Sequence, residues 1–490
     1  MRPDHKKAHF HQLRVLVSIV GLLMTAGVCR GQGQPLNVVI EVVTVSPARL
    51  SIEIESTPSS RWSFRNVYGD IINLADRIEN FKAIGSQGEE LSVRKLAPGE
   101  FQSSRNVSKV TYEVRANEPA ALSQMSHVSW LDKERGFLML ADLLPLTGKN
   151  PAGSQAAIIQ FKLPESWTVA SNFKPDEKLR YVLPRTNDAV FYVGRSLSEE
   201  SVRVGSMELV LITSGDWAFA DRDALKVASR VVKHYAKGTN YPLAGRFAIM
   251  LCSFPGAADA TQWSAETRGK NAVLLIGKNA SRQALLGRLS ILFTHELFHF
   301  WVPNALRLEG SYDWFFEGFT LYQALLAALR LNFISFDEYL NTIARVYDSY
   351  KSLPDRDALP LIEASERRWT RSASYIYDKG FLVALIYDLS LRQASRSKRS
   401  LTDIYREIFH RLPTSPQTAN EVIIRALNSP EGMSEFGHQY VLSAQELPLD
   451  SLLELHGLKV ERINSRTRIL VENELSAVQR QILKSIGYKQ

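Results

Sequence analysis

The stretch Thr294 to Trp301, "THELFHFW", sets two histidines, His295 and His299, four residues apart, with Glu296 directly after the first. On an α-helix, at 100° per residue, positions i and i+4 lie only about 40° apart around the axis. Both imidazoles can then converge on one ion at roughly 2.0–2.1 Å, the usual zinc–nitrogen distance. Glu296 projects beside that ion rather than onto it, where it can take a proton from water that the metal activates. Ser281 reads as an N-cap and Pro303 as a stop, so one helix is expected from about Arg282 to Val302. Leu292, Phe293, Phe300 and Trp301 would suit a plain buried helix equally well. Two imidazoles and a carboxylate in so apolar a stretch, however, would cost several kcal/mol unless paired or metal-bound.

A third ligand is expected at Glu317, eighteen residues after His299, in "DWFFEGFTLYQ". Asp313 reads as the cap of a new helix and would set Glu317 in its first turn, facing back toward the histidines. Zinc held by two histidines and one glutamate keeps a fourth position open for water, the catalytic type of site rather than the closed structural type. Attack on a peptide carbonyl also develops an oxyanion that needs a donor besides the metal. Tyr377, in "YIYDKGF", is the candidate.

Outward from this core, the chain divides by its periodicities. Residues 34–206 read as short strands, with "LSIEIES" and "VTYEVRA" alternating apolar and polar residues, and form a β-rich N-terminal domain. Residues 207–302 bring the apolar runs "ELVLIT", "FAIMLCSF" and "NAVLLIG" with a helix near Asp223 to Lys237, a mixed sheet that leads into the histidine helix. Residues 303–458 are helical, and 459–490 form a short tail. The expected fold class is thus multidomain α+β.

Residues 1–33 carry Arg2, Lys6, Lys7 and Arg14 ahead of the apolar run Val15 to Val28, a secretory signal pattern. The run is short for a membrane span, which needs about 20 residues, so a cleaved signal is expected, with an N-terminal membrane anchor as the alternative. Cys29 and Cys252 are the only cysteines, which excludes a disulfide framework. A secreted or periplasmic location follows from these features. The formal charge of +8 falls to +4 once the five Lys/Arg and one Asp of residues 1–33 are set aside. No basic stripe speaks for nucleic acid.

With H-E-x-x-H, the glutamate of "EGFT" and the tyrosine of "YDKG" in this order, the chain resembles the gluzincin zinc metallopeptidases. It is most similar to the glycyl-aminopeptidase family, whose members usually carry a PDZ domain, and more distantly to the aminopeptidase N family. "WFFEGFTLY", "YIYDKGFLVALIYDLSLR" and "ELPLDSLLELHGL" favour the closer match. The resemblance implies a thermolysin-like catalytic domain, His295, His299 and Glu317 as Zn2+ ligands, Glu296 as general base and acid, and Tyr377 as oxyanion donor. It further implies a glutamate that anchors the substrate's amino group. The corresponding region, "WSAETRGKNAVLLIG", lacks the family's glycines and offers Glu266 one place off. Residues 459–490 are too few for a PDZ domain.

The function expected is hydrolysis of peptides or proteins, aminopeptidase-like, with a substrate strand pairing beside an edge strand near Ala272 to Ile276. Two alternatives stand beside it: a zinc endopeptidase with no need for a free N-terminus, and a non-catalytic envelope binding protein on the same fold.

Overall fold

A computed structural model describes residues 34–146, 155–256, 258–259, 261–306, 308–354, 356–368, 373–411 and 418–489. The expected signal or anchor segment, Cys29 included, lies outside them. Among the described residues, no helix is long and apolar enough to cross a membrane.

The chain forms the mixed α+β fold expected, β-rich first and helical later. Alternating apolar residues make strands β1 (Leu36–Val45), β2 (Ala48–Ser63) and β3 (Glu100–Arg115) the centre of an eight-stranded sheet. Antiparallel register sets Ile40 against Ile52 and Ile52 against Tyr112, and all three are buried. One face of the sheet is therefore apolar and covers a core, as period-two patterning requires. A four-stranded sheet that includes Arg135–Met139 and Val190–Gly194 adjoins it.

A second large sheet runs β4 (Ser198–Val204), β5 (Met207–Thr213), β6 (Gly245–Ser253), β8 (Asn271–Ile276), β7 (Trp263–Arg268). Strands β5, β6 and β8 are parallel, and the two outer strands are antiparallel to their neighbours. Helix α1 (Asp221–Thr239) makes the crossover from β5 to β6. β4 falls within 34–206 in sequence but pairs with β5, Val202 opposite Leu209, so the hydrogen-bonded seam precedes Ser198.

The expectation of an edge at Ala272 to Ile276 is corrected here. That segment, β8, lies between β6 and β7, and the edge strand is Trp263–Arg268. A strand buried on both faces reads as a continuous apolar run, which "NAVLLI" does and "WSAETR" does not. Gly269, at φ +56° in the turn between them, lets the chain reverse.

The helical part begins with α2 (Arg282–Glu296), followed by α3 (Thr320–Arg330), Phe336–Ser352 and α4 (Ala373–Ala394). Gly318 and Gly380 bring the backbone before α3 against α4. A Cβ on Gly380 would stand 2.8 Å from the Trp314 carbonyl oxygen, and one on Gly318 would stand 2.5 Å from the Cα of Gly380. This contact sets Glu317 and Tyr377, each a few residues from its glycine, beside one another. The C-terminal segment docks on these helices. Arg392 donates to the Ser485 hydroxyl at 2.8 Å, and the Thr467 amide donates to Asp348 at 3.0 Å.

Since neither backbone can retreat without moving a buried helix, Gly380→Ala is expected to cost about 1–3 kcal/mol of stability and to loosen metal retention. Thermal denaturation together with metal analysis of the purified variant checks both.

Candidate active site

Ser281 caps α2, its hydroxyl accepting the Ala284 amide at 3.3 Å. The helix does not continue to Val302 as the spacing predicted. It ends at Glu296 and tightens into a 3-10 turn over Phe298–Phe300. Aromatic packing holds that turn, with Phe298 4.7 Å from Tyr235 and Phe300 4.9 Å from Phe247 between ring centroids. The Trp301 indole donates to the Tyr241 carbonyl at 2.9 Å.

The break changes how the second histidine is held. The Val302 carbonyl comes to 2.8 Å from His299 Nδ1. A carbonyl only accepts, so Nδ1 carries the proton and Nε2 presents a lone pair. His295 and His299 stand at 89° to each other, with Nε2 atoms 3.1 Å apart.

Glu317 sits in the first turn after Asp313, as expected, but that turn is a π-turn, Trp314–Phe319, and the Asp313 side chain makes no capping bond. Asp313 instead accepts from Arg368 Nη1 at 2.5 Å. The wider turn still swings the carboxylate inward, with Glu317 Oε2 3.6 Å from both His295 Nε2 and His299 Nε2. Ligand atoms bonded at 2.0–2.1 Å around tetrahedral zinc stand about 3.3–3.4 Å apart. A triangle of 3.1, 3.6 and 3.6 Å therefore fits that ion. The three residues form a group of metal-ligating side chains whose ligand atoms all lie within 4.8 Å of one another.

Charge in this buried place is balanced by a residue that the sequence reading missed. Arg368 Nη2 donates to Glu317 Oε1 and to the Tyr377 hydroxyl, both at 2.9 Å. Burial opposes ionisation of Glu317, but the His295 hydrogen bond and the charges of His299 and Arg368 hold its carboxyl down at about 2. Burial and the Glu317 charge push the Tyr377 phenol well up, so it stays a neutral donor. No spacing rule points to Arg368. The available signal was physical: two buried carboxylates, Asp313 and Glu317, need a cation.

Glu296, 4 % exposed, is held from the edge strand. The Thr267 hydroxyl donates to its Oε2 at 2.8 Å and faces its backbone oxygen at 2.9 Å. Glu266 lies on the other face of the same strand. Its Oε1 accepts from the Tyr68 hydroxyl and from Arg268 Nε at 2.8 Å, and its Oε2 from His127 Nδ1 and, at 3.3 Å, from Arg268 Nη2. A carboxylate has about four lone-pair sites, so these four donors saturate it. The structure thus gathers His295, Glu296, His299, Glu317 and Tyr377 in one place and sets Glu266 in a separate ion cluster. A cavity of about 770 Å³ between Arg135, Ser214, Ser253 and Lys278 shares none of these residues.

A mixed sheet, a broken histidine helix and a facing carboxylate make up the arrangement that the gluzincin resemblance led us to expect. Comparison with known proteins narrows this class. The family model of the peptidase M61 N-terminal domain matches residues 70–190, and that of the M61 glycyl aminopeptidases matches residues 288–383. No curated protein sequence matches the chain. Among solved structures, an aminopeptidase N family protein from Idiomarina loihiensis is similar at a TM-score of 0.73 and 19% identity, over 87% of this chain and 79% of its own. An M1 zinc metallopeptidase from Deinococcus radiodurans is similar at 0.53 and 15%, over 86% and 96%. A mutant of an M1 zinc metallopeptidase from that organism, bound to a Tyr-Ser-Ala substrate, is similar at 0.55 and 14%, over 85% and 95%. Two M61 peptidase models thus match separate parts of the chain, and its fold is similar to that of these solved peptidase structures.

Arg368→Gln leaves Asp313 and Glu317 without their cation and removes a donor to the Tyr377 hydroxyl. The expected result is about 10–100-fold weaker zinc affinity, read by competition with a chelator.

Proposed function

We propose that the chain hydrolyses peptide bonds with a zinc ion held by His295, His299 and Glu317. The observation that carries this reading is the triangle of three ligand atoms, from half-buried His295 and buried His299 and Glu317, with Glu296 fixed beside it by Thr267. Bound there, zinc would supply Lewis acidity to the carbonyl and lower the pKa of water. Glu296 takes the proton from the attacking water and passes it to the leaving amine, acting as base and then acid. Tyr377 donates to the developing oxyanion while Arg368 holds its oxygen in place. Strand β7, paired on one side only among the described residues, offers its outer edge to an extended peptide. The tripeptide bound to the Deinococcus protein supports peptides as the substrate class. A secreted or periplasmic location is supported by the basic-then-apolar pattern of residues 1–33, which also leaves membrane anchoring there as the alternative.

A second reading, endopeptidase rather than aminopeptidase, is favoured by one observation. The carboxylate in line to bind a substrate's amino group, Glu266, has its acceptor sites filled by protein donors. An N-acetylated peptide and its free counterpart are then expected to be cleaved alike; selective loss of the acetylated substrate would favour the aminopeptidase.

Digestion of a peptide library by the purified protein should generate new termini and stop with a chelator. Glu296→Gln should keep its zinc and lose hydrolysis by about 10²–10⁴-fold. Unchanged turnover in that variant removes Glu296 as the base.

A further inference from the structure

The face of β7 opposite Thr267 carries charges that the reaction does not use. Arg268, on that face, stacks on the Tyr68 ring with its guanidinium carbon 4.2 Å from the centroid, and Arg65 stacks on the same ring at 5.0 Å. Arg268 is matched by Glu266, and nearby Arg77 is matched by Asp142 at 2.7 Å. His127 shares Glu266 with Arg268. Arg65 has no carboxylate within ion-pair distance among the described residues and lies over the Tyr68 ring.

The cluster therefore carries a surplus of positive charge close to Glu296, since β7 places Thr267 on that base and Glu266 and Arg268 on either side of Thr267. A guanidinium partly withdrawn from water without a paired carboxylate costs free energy. Burial and the charge of Arg268 push the pKa of half-buried Arg65 down, against weaker attraction from Asp142 and Glu266. Burial opposes a charged His127, but Glu266 holds its pKa up, so it adds to the surplus rather than cancelling it. An incoming carboxylate relieves both costs; an incoming ammonium meets two guanidiniums and a carboxylate already filled.

We propose that Arg65, with Tyr68, His127 and Arg268 behind it, forms a subsite that takes a carboxylate of the peptide substrate, so that acidic peptides are the preferred substrate class. The proposal uses the hydrolase reading only to place this subsite beside the bond that is cut.

The test uses the zinc-loaded Glu296→Gln protein, which holds peptide without turning it over, and measures binding by fluorescence anisotropy. The probes are N-acetyl, C-amide peptides in which a single Glu is walked through a neutral sequence, each with a Gln twin. One further neutral peptide ends in a free carboxylate. At one position Glu is expected to bind about tenfold tighter than Gln. Arg65→Gln should bring that ratio to about one, and Arg65→Lys, which keeps charge but not the planar fork, should leave an intermediate ratio. Preference for the free C-terminus alone would move the ligand from a side chain to the terminal carboxylate, still on Arg65. A ratio near one for every peptide, or one that survives Arg65→Gln, overturns the subsite. Turnover by the wild-type protein with no such preference sinks the subsite alone. Preference without turnover sinks the hydrolase and leaves the subsite standing.

Discussion

Two imidazole nitrogens that face each other at 3.1 Å, with a carboxylate oxygen 3.6 Å from both, are the arrangement around which the helical half is built. Lone pairs brought this close repel unless a proton or a metal ion lies between them. His299 has its other nitrogen committed to Val302, so the shared space is defined by fixed donors and not by mobile ones. Each departure from regular helix serves this geometry. The 3-10 turn after Glu296 frees the Val302 carbonyl, and the π-turn at Trp314–Phe319 rotates Glu317 inward. Neither would hold without the aromatic residues packed behind it, Phe298, Phe300, Trp314 and Phe315, each at most 1 % exposed. A core this rigid fixes ligand atoms to within a fraction of an ångström.

The edge strand performs two unlike tasks because successive side chains alternate across it. Thr267 faces α2 and orients the Glu296 carboxylate. Glu266 and Arg268 face the N-terminal domain and pair with Tyr68 and His127, from segments that connect its strands. The ion cluster thus couples the β-rich domain to the position of Glu296. The Arg268 Nη2–His127 carbonyl bond at 2.6 Å and the Ser126–Ser264 hydroxyl contact at 2.7 Å lie on the same seam. Displacement of the N-terminal sheets would pull first on the strand that holds Glu296.

How much of this was legible follows from the range of each interaction. The i and i+4 histidines, the neighbouring glutamate and the apolar strands are local patterns, and the sequence displayed them directly. The end of α2 was misplaced because Pro303 marks where a helix must stop. The earlier tightening at Leu297 comes from tertiary packing of Phe298 and Trp301, which no local propensity records. Asp313 looked like a cap because Asp favours that place, yet a cation 55 residues along the chain competes for it. The edge strand was assigned to the more apolar half of a hairpin, when a continuous apolar run signals an interior strand. Arg368, Thr267 and Tyr68 left no trace in spacing because their partners are distant in sequence.

Glu266 separates what a family pattern carries over from what the neighbouring residues decide. A carboxylate in this part of the strand binds an amino group only if its oxygens are open. Arg268, two residues later on the same face, closes one side, and His127 and Tyr68 from the other domain close the rest. Burial would raise the pKa of an isolated glutamate; here the paired cations hold it well below the usual carboxylate range, so it is permanently charged and permanently matched. The group left unmatched beside it is Arg65, and the sign of the subsite is inverted with respect to an amine-binding pocket. In the proposed subsite, specificity would therefore be set by the residues around Glu266, not by the presence of a glutamate there.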